Sequence, residues 1–362
     1  MKVLLLLLVA GARFASSRCE CGYTTEDAGN GEYMVFMDLL ETDFTRINDI
    51  SKNADWIRQQ FNVSAENGRG EYGKSFLPNN IVVLPAEGEA LSGHDSSLGL
   101  LVSSGISDGS VPAAEIDTAR RDLHWGSYRT GMKLSATNGT CAAFFWYLND
   151  TQEIDVEFLS REFVPGEGLY PVNLVIQSMQ SREAGYDASK TGTFKRINLD
   201  FDPTDGFHEY RFDYTPGKVV FYTDSKQVAM MHGSAIPSAA GHLILQHWSN
   251  GNPKWSGGPP AKDAMLRVSY IKAYFNSSDA QYQADLTRRC RDKSANEAAC
   301  IVPDVTAGNA NSGGVFLGDQ GNATGQETDE GEESVGGNQR CQSRAGSLLV
   351  AMVAVVLIFW AD

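Results

Sequence analysis

One stretch, Glu153-Ile154-Asp155-Val156-Glu157-Phe158, alternates strictly between acidic and apolar side chains. In a β-strand, successive side chains point to opposite faces of the sheet. As a strand, this stretch places its apolar side chains on a face suited to a core and its carboxylates in line on the other face. Repulsion and burial both raise the pKa values of such carboxylates, so the pattern indicates a site that does chemistry. The alternative, a solvated acidic edge strand, is disfavoured by the aromatic-rich strands on both sides.

The region around this stretch also has the pattern of strands. Short alternating or apolar runs are separated by Gly, Asn, Asp or Pro turns. They lie at residues 33–40, 80–84, 98–103, 125–134, 141–148, 153–160, 172–180, 208–214, 218–223, 242–248 and 266–275. A short helix is predicted at residues 53–61. Many strands and almost no amphipathic helix predict an all-β fold of two stacked antiparallel sheets.

The two ends of the chain have the pattern of targeting signals. Residues 1–17 combine Lys2, an apolar run and small residues, as in a secretory signal peptide cleaved after Ala12, Ala15 or Ser17. At the other end, residues 338–362 contain a polar spacer and an apolar tail too short to span a bilayer. Small residues precede them, as in a GPI-attachment signal. We place the attachment residue near 336–338, with Ser334 as an alternative.

The remainder divides into a folded unit and a stalk. Residues 18–302 are long for one domain, but all-β sandwiches reach that size. Residues 303–337 are rich in Gly, Asn, Ala, Thr and acidic side chains, which predicts a disordered stalk. The net charge of −15, with no basic patch, argues against a nucleic-acid partner.

The cysteines and the sequons agree with secretion. Cys19 and Cys21 open the folded unit and Cys290 and Cys300 close it, and disulfides between these two ends are attractive, although the connectivity cannot be read from sequence. Cys141 lies between them, Cys341 lies beyond the attachment residue, and the spacings do not favour zinc. N-glycosylation sequons begin at Asn62, Asn138, Asn149, Asn276 and Asn322.

The acidic stretch can divide the work of glycosidic cleavage between two carboxyls. One carboxyl protonates the leaving oxygen, and the other attacks the anomeric carbon or activates water. Glu153 and Glu157 have Cα atoms about 13 Å apart on a strand, and two Glu side chains that lean together close most of that gap. Asp155 lies between them, so the three titrate as a coupled set.

The stretch resembles the E-x-D-x-E active-site strand of glycoside hydrolase family 16, which includes lichenases, laminarinases and xyloglucan transglycosylases. WGSYR at residues 125–129, FHEYRF at 207–212 and VVFYTD at 219–224 are similar to further motifs of that family. The resemblance covers about residues 60–275. With the two terminal signals, it suggests the fungal, GPI-anchored type.

The resemblance implies a concanavalin A-like β-jelly-roll that acts on β-linked glucans with retention. It makes Glu153 the nucleophile, Asp155 the assisting residue and Glu157 the acid/base. The family's last strand often carries an Asp linked to a structural calcium, but here Ser269 stands at that place, and we therefore expect no metal or cofactor. Residues 19–60 and 290–300 fall outside the shared motifs, and the Cys-rich opening of fungal chitin–glucan transglycosylases is absent from the sequence.

Aromatic side chains are the candidates for sugar contact, because sugar rings pack on flat side chains. We predict substrate contacts for Trp248 and Trp255, which flank a Gly/Asn/Pro-rich stretch, and for Trp146. Strand parity leaves open whether Trp146 or the Phe145/Tyr147 pair faces the cleft. His208 is a further candidate, with a structural role as the favoured alternative.

The sequence therefore predicts a secreted, GPI-anchored and monomeric retaining glycoside hydrolase of the endo-β-glucanase type, or a transglycosylase, that acts on cell-wall β-glucans with β-1,3 or β-1,3/1,4 linkages. Its partners would be the polysaccharide and, through the anchor, the outer membrane leaflet. One alternative is a lectin-like wall protein that binds glucan without cleaving it. A calcium site on the acidic stretch is a third hypothesis, but calcium loops draw on closely spaced Asp, Asn and Gly residues.

Overall fold

The structure, a computed structural model, describes residues 19–25, 34–85, 96–291 and 298–318 of the chain. The predicted signal peptide, the GPI-attachment signal, Asn322 and the part of the predicted stalk beyond residue 318 lie outside these ranges. Within them, no helix is both long and apolar enough to cross a membrane.

Strands are the main regular element of the described chain. In order they are β1 Tyr23–Thr24, β2 Val35–Phe36, β3 Asp38–Asp43, β4 Trp56–Arg58, β5 Phe61–Val63, β6 Gly73–Phe76, β7 Ile81–Leu84, β8 Ser97–Val102, β9 Ser110–Thr118, β10 Leu123–Lys133, β11 Cys141–Asn149, β12 Gln152–Leu159, β13 Pro171–Gln177, β14 Phe194–Asn198, β15 His208–Thr215, β16 Lys218–Thr223, β17 Lys226–His232, β18 His242–Trp248, β19 Ala264–Ser277 and β20 Cys300–Ile301. The α-helices are α1 Ala65–Gly68, α2 Met179–Glu183 and α3 Ala280–Arg289.

Two large sheets confirm the predicted sandwich. Sheet I has eight strands in the order β17-β16-β15-β10-β19-β8-β7, with β3 also paired to β19. Sheet II has nine strands in the order β14-β13-β12-β11-β18-β9-β6-β5, with β4 paired to β9. Their pairings are antiparallel except between β6 and β9, which run parallel. A small third sheet joins β2, β1 and β20.

The main core lies between the two sheets and is built by strand alternation. Sheet II contributes Ile154 and Phe158 of β12, and sheet I contributes Tyr210 and Phe212 of β15. The rings of Phe158 and Tyr210 meet edge to face with centroids 4.7 Å apart, which fixes the sheets against each other. Each large sheet therefore has a core face and an outer face.

Tight turns set the register of the hairpins. Between β16 and β17, Asp224 and Ser225 both have positive φ, at 46° and 66°, which is the requirement of a two-residue type I′ turn. The Asp224 carboxylate also accepts a hydrogen bond from the Glu209 backbone N–H at 3.0 Å. Asp tolerates the left-handed region better than most residues, so the sequence fits the turn.

The predicted helix at residues 53–61 is wrong. This stretch contains strand β4 and the start of β5. Trp56 is buried in the core against Phe44, with ring centroids 5.8 Å apart. Its indole N–H donates to the Thr42 hydroxyl at 2.9 Å. Tertiary packing of this aromatic side chain therefore overrides the local pattern. The ten-residue helix α3 was not predicted.

The predicted start of the stalk at residue 303 is also wrong. Residues 302–318, here called the C-terminal segment, pack on the outer face of sheet I. Val302, Val305, Ala310 and Phe316 are buried there. Arg129 donates to the Pro303 carbonyl at 2.9 Å, which ties the segment to β10. The Gly/Asn-rich composition did not indicate this packing, because the segment contacts the sheet through few apolar side chains and many backbone carbonyls.

The two chain ends of the folded unit are joined as predicted. Disulfides link Cys19 to Cys300 and Cys21 to Cys290. Cys141 is free and buried.

Candidate active site

The three carboxylates Glu153, Asp155 and Glu157, here called the acidic row, lie on the outer face of sheet II. Their strand, β12, is central in the sheet, with β11 and β13 as its neighbours. Ile154, Val156 and Phe158 face the core. The alternation predicted from the sequence is therefore confirmed.

The acidic row is almost completely withdrawn from water. Glu153 is 1% exposed, and Asp155 and Glu157 are 0% exposed. Burial raises the pKa of Glu153 to about 8, with further elevation by Glu157 and opposition from Asp155. Burial likewise raises the pKa of Glu157 to about 7. The pKa of Asp155 lies well above its ordinary range because burial is reinforced by both neighbouring Glu side chains.

The row is also poorly supplied with hydrogen-bond donors. Both carboxyl oxygens of Asp155, Oε1 of Glu153 and Oε2 of Glu157 are buried and accept no hydrogen bond from an N–H, hydroxyl or thiol donor among the described residues, although the Glu153 and Asp155 carboxyls interact with each other. Buried polar groups in folded proteins are nearly always paired, and an exception calls for an explanation. A ligand that brings hydroxyl groups to this face would supply the missing partners.

Side chains of the neighbouring strands complete the Glu153 end. Tyr147 of β11 and Gln177 of β13 stand opposite Glu153, and Phe145 stands opposite Asp155. The Tyr147 hydroxyl donates to Asp150 at 2.8 Å. Of the two possibilities that parity left open, the Phe145/Tyr147 pair thus shares the face of the row.

The Glu157 end is enclosed by aromatic and unusual polar side chains. The Cys141 thiol donates to Oε1 of Glu157 at 3.5 Å, and Cys141 and Trp255 both lower the pKa of Glu157. Trp248 is paired with Cys141 in register. The ammonium of Lys74 lies 4.2 Å from the Trp248 ring centroid. Trp248 and Trp255 thus lie near the Glu157 end of the row, and their contact with sugar stays a prediction.

A search against models of protein families matches residues 86–270 to glycosyl hydrolases family 16. This match covers half of the chain and includes the whole acidic row. The chain belongs to glycosyl hydrolase family 16.

Curated relatives of this family-16 chain are bacterial β-glucanases. Those of Paenibacillus polymyxa and Paenibacillus macerans are 30% and 32% identical over 141 residues, which is 37% of this chain and 52% of each relative. That of Bacillus licheniformis is 28% identical over 159 residues, 41% of this chain and 58% of the relative. The chain spans about half the length of the curated relatives it matches.

Solved structures are similar as well. A lichenase from a mouse hindgut metagenome superposes with a TM-score of 0.48 at 19% identity, covering 65% of this chain and 98% of the lichenase. A Crh5 transglycosylase in complex with NAG gives a TM-score of 0.46 at 17% identity, covering 67% and 86% of the two chains.

Two predicted substrate contacts of the family-16 site are wrong. Trp146 points into the core, where its indole N–H donates to the Leu123 carbonyl at 2.9 Å. Parity decides this, since the residue opposite it on β12 is Ile154. His208 lies on sheet I, stacked on Phe201 at 3.7 Å and bonded to Asp224 at 2.6 Å. The favoured structural role of His208 is therefore the better interpretation.

The sequence interpretation missed a second acidic pair on the same face. Glu115 and Asp117 lie on β9, opposite Gln246 and Ile244 of β18. Burial raises the pKa of Glu115 well above its ordinary range, and Asp117 adds to this shift. The E-x-D spacing of this pair repeats that of Glu153 and Asp155, which was the available signal.

The residues near Ser269 do not fit a calcium ion. The Ser269 hydroxyl donates to the carbonyls of Gly131 at 3.2 Å and Ala310 at 2.8 Å. The ammonium of Lys272, on the same strand, donates to two further carbonyls of the C-terminal segment. Carbonyls that could ligate a cation are thus already used by the chain's own donors.

Four of the predicted glycosylation sites lie in the described residues. Asn62, Asn138 and Asn149 are exposed, as attachment of a glycan requires. Asn276 is half-buried, and its carbonyl oxygen accepts a hydrogen bond from the Met37 backbone N–H at 3.1 Å.

Proposed function

We propose that the chain is a retaining glycoside hydrolase or transglycosylase that acts on β-linked glucans. The observation that carries this proposal is the acidic row, in which three buried carboxyls stand in line with unpaired oxygens on a central strand. Family membership and the β-glucanase relatives support a glucan substrate.

The raised pKa of Glu157 suits a general acid. A carboxyl with a pKa of about 7 stays largely protonated in mildly acidic solution, so it can protonate the leaving oxygen of the glycosidic bond. Glu153 would then attack the anomeric carbon, and Glu157 as base would activate water or an acceptor sugar to resolve the glycosyl-enzyme. Asp155, between the two, is placed to modulate both titrations.

The experiment is an activity screen of the domain that includes the C-terminal segment, residues 19–318, beside Glu153→Gln. The substrates are laminarin, mixed-linkage β-glucan, xyloglucan and chitin oligosaccharides, with labelled acceptor sugars to detect transfer. We expect wild type to act on a β-1,3 or β-1,3/1,4 glucan and the variant to be inactive. Equal glucan binding by both proteins with no cleavage or transfer by either would show a lectin-like protein instead.

We further propose that the protein is secreted, N-glycosylated, monomeric and held at the cell surface or wall by a GPI anchor of the fungal type. The terminal signals, the sequons and the two disulfides support this proposal. Release of the full-length protein from cells by a phosphatidylinositol-specific phospholipase would test the anchor, and retention after treatment would contradict it.

A further inference from the structure

A site that cleaves a polysaccharide has to admit a chain, yet the acidic row is at most 1% exposed. Two segments that leave sheet II on opposite sides of the row come together above it. The first is the β5–β6 loop, residues 64–72, which contains α1. The second is the β13–β14 loop, residues 178–193, which begins with α2.

The β5–β6 loop lies over the Glu157 end of the row. The Asn250 side chain, just past the end of β18, donates to the Gly68 carbonyl at 2.6 Å. The Tyr72 backbone N–H donates to the Asn250 carbonyl at 2.9 Å. A Cβ on Gly68 would lie 3.8 Å from the Lys74 side chain. Because Lys74 stacks on Trp248, the loop is tied to the outer face of sheet II.

The β13–β14 loop lies over the Glu153 end. The Ser181 hydroxyl of α2 donates to the Gln177 side chain at 2.7 Å. Gln177 stands directly opposite Glu153 on the outer face, and Ser181 is completely buried. Helix α2 is thus packed on the face that carries the row rather than at the edge of the sheet.

The two loops meet through one contact, here called the bridge. The Arg69 guanidinium lies 5.6 Å from the centroid of the Tyr186 ring. Strands β12, β11, β18 and β9 lie between the strands that lead into the two loops. Since one loop covers the Glu157 end and the other the Glu153 end, the bridge crosses the row diagonally. Arg69 also interacts with Asp150, in the turn that precedes β12.

We propose that the bridge between Arg69 and Tyr186 decides which glucans reach the acidic row, by admitting chain ends and oligosaccharides and barring the interior of long chains. This inference rests on the proposed function. An interior stretch has no free end to pass beneath an intact bridge, so it enters only when the bridge breaks. A short chain can slide under it from either side.

Electrostatics agree with a site that opens. Glu153 has to be ionised to attack, yet burial raises its pKa to about 8. Entry of water or sugar hydroxyls reduces that desolvation and favours the carboxylate. The closed arrangement therefore keeps the nucleophile neutral until a ligand lies beneath the bridge.

The test compares wild type with Arg69→Asn and Tyr186→Asn. Asn is chosen because Arg69 and Tyr186 have positive φ, at 53° and 66°, and Asn tolerates this region. The measured quantity is kcat/KM on polymeric glucan divided by kcat/KM on an oligosaccharide of the same linkage. Loss of the cation–π contact should raise this ratio about three- to thirtyfold. Tyr186→Phe keeps the ring and should behave as wild type.

A second readout does not depend on activity. Cys141 is free, lies at the Glu157 end of the row and is 0% exposed. Its rate of modification by a thiol reagent should rise in both Asn variants and stay unchanged in Tyr186→Phe. Equal thermal unfolding midpoints among the proteins exclude a general loss of structure.

The outcomes separate the two proposals. If the variants leave the ratio unchanged, or lower both activities equally, the bridge does not select chain length and the inference is overturned. If neither wild type nor any variant acts on a glucan, the proposed function fails. The rate of Cys141 modification then decides by itself whether the bridge closes off the row. Faster modification then supports the bridge as a barrier, and an unchanged rate rejects it.

Discussion

The outer faces of the two sheets both bury charged side chains, but they treat them in opposite ways. On sheet I, the cations Arg211 and Lys272 are buried beneath the C-terminal segment and are paired. On sheet II, the acidic row is buried with four of its carboxyl oxygens unpaired. The two sheet I cations are thus satisfied within the fold, whereas the acidic row is left short of hydrogen-bond donors.

The pairing on sheet I is extensive. Arg211 makes a two-pronged contact with Asp213 and reaches Asp304 at 3.1 Å. Lys272 donates to the carbonyls of Gly313 at 2.5 Å and Val315 at 2.6 Å. These contacts hold a segment of low apolar content against the sheet. The sheet I face is therefore structural, and its cations add to the few hydrophobic contacts that the segment makes.

The largest expected effect is a loss of activity that is not accompanied by a loss of stability. Glu157→Gln removes the general acid and should lower kcat/KM on the active glucan by about 10²–10⁴-fold. Because Gln removes a buried carboxyl from beside two others, the free energy of unfolding at pH 7 should be unchanged or higher. Urea unfolding beside activity assays checks this. A clear loss of stability would show that the row also supports the fold.

Removal of a buried charge on sheet I should have the opposite effect, a loss of stability with little change in activity. Arg211→Met leaves Asp213 buried without its cation, which typically costs about 3–5 kcal/mol of unfolding free energy. Activity of the remaining folded protein should be close to wild type, because Arg211 lies on the other sheet. Lys226→Met is the matched control, since its ion pair with Asp200 is exposed, and it should change stability by less than about 0.5 kcal/mol. If Arg211→Met lowers the free energy of unfolding as little as Lys226→Met does, the buried sheet I cation does not serve the fold and the contrast between the two faces is wrong.

The glutamates of the acidic row and Asp213 of sheet I should make stability depend on pH with opposite sign. Burial raises the folded-state pKa of Glu153 to about 8 and of Glu157 to about 7, above the value of about 4.3 in an unfolded chain. Their contribution is thus fully present below about pH 4.3 and is lost as pH rises through 7 to 8. Burial opposes the lowering of the Asp213 pKa, but Arg211 prevails, so that contribution is lost as pH falls into the acid range.

Unfolding free energies measured from pH 3 to pH 9 check these signs. Glu153→Gln/Glu157→Gln should flatten the decline between about pH 4.3 and 8, while Arg211→Met should remove the loss of stability on the acid side that Asp213 causes. If the double variant keeps the wild-type decline, other groups control that range and the burial of the row is not what stabilises its protonated form.

The sequence predicted the sheet II face better than the sheet I face, for a physical reason. Strict alternation at residues 153–158 determines which side chains share a face, and register follows from it. Trp146 was misplaced because parity within one strand does not say which face is the core. Only its pairing with Ile154 settles that, and pairing between strands is a property of the folded sheet.

The packing of the C-terminal segment was not predicted because amino-acid composition does not show which backbone carbonyls accept hydrogen bonds. Low apolar content predicts disorder, but here backbone carbonyls of residues 303–315 accept hydrogen bonds from Arg129, Ser225, Ser269 and Lys272. Those donors lie on β10, on β19 and in the β16–β17 turn, all distant from the segment in sequence. The bridge was missed for a similar reason, since neither Arg69 nor Tyr186 belongs to a motif and their loops meet only in space.

The smallest expected effect concerns the Cys141 thiol, which donates to Oε1 of Glu157 at 3.5 Å. Cys141→Val removes this donor while it keeps an apolar side chain of similar size. Since the thiol lowers the pKa of Glu157, the variant should carry a higher pKa there. The alkaline limb of the kcat/KM profile, where the general acid loses its proton, should therefore move to higher pH. Cys141→Ser retains a donor and should leave the limb near its wild-type position. A limb that stays fixed in the Val variant would mean that the thiol does not set this pKa, which would then be determined by burial and by the opposing effects of Trp255 and Lys74.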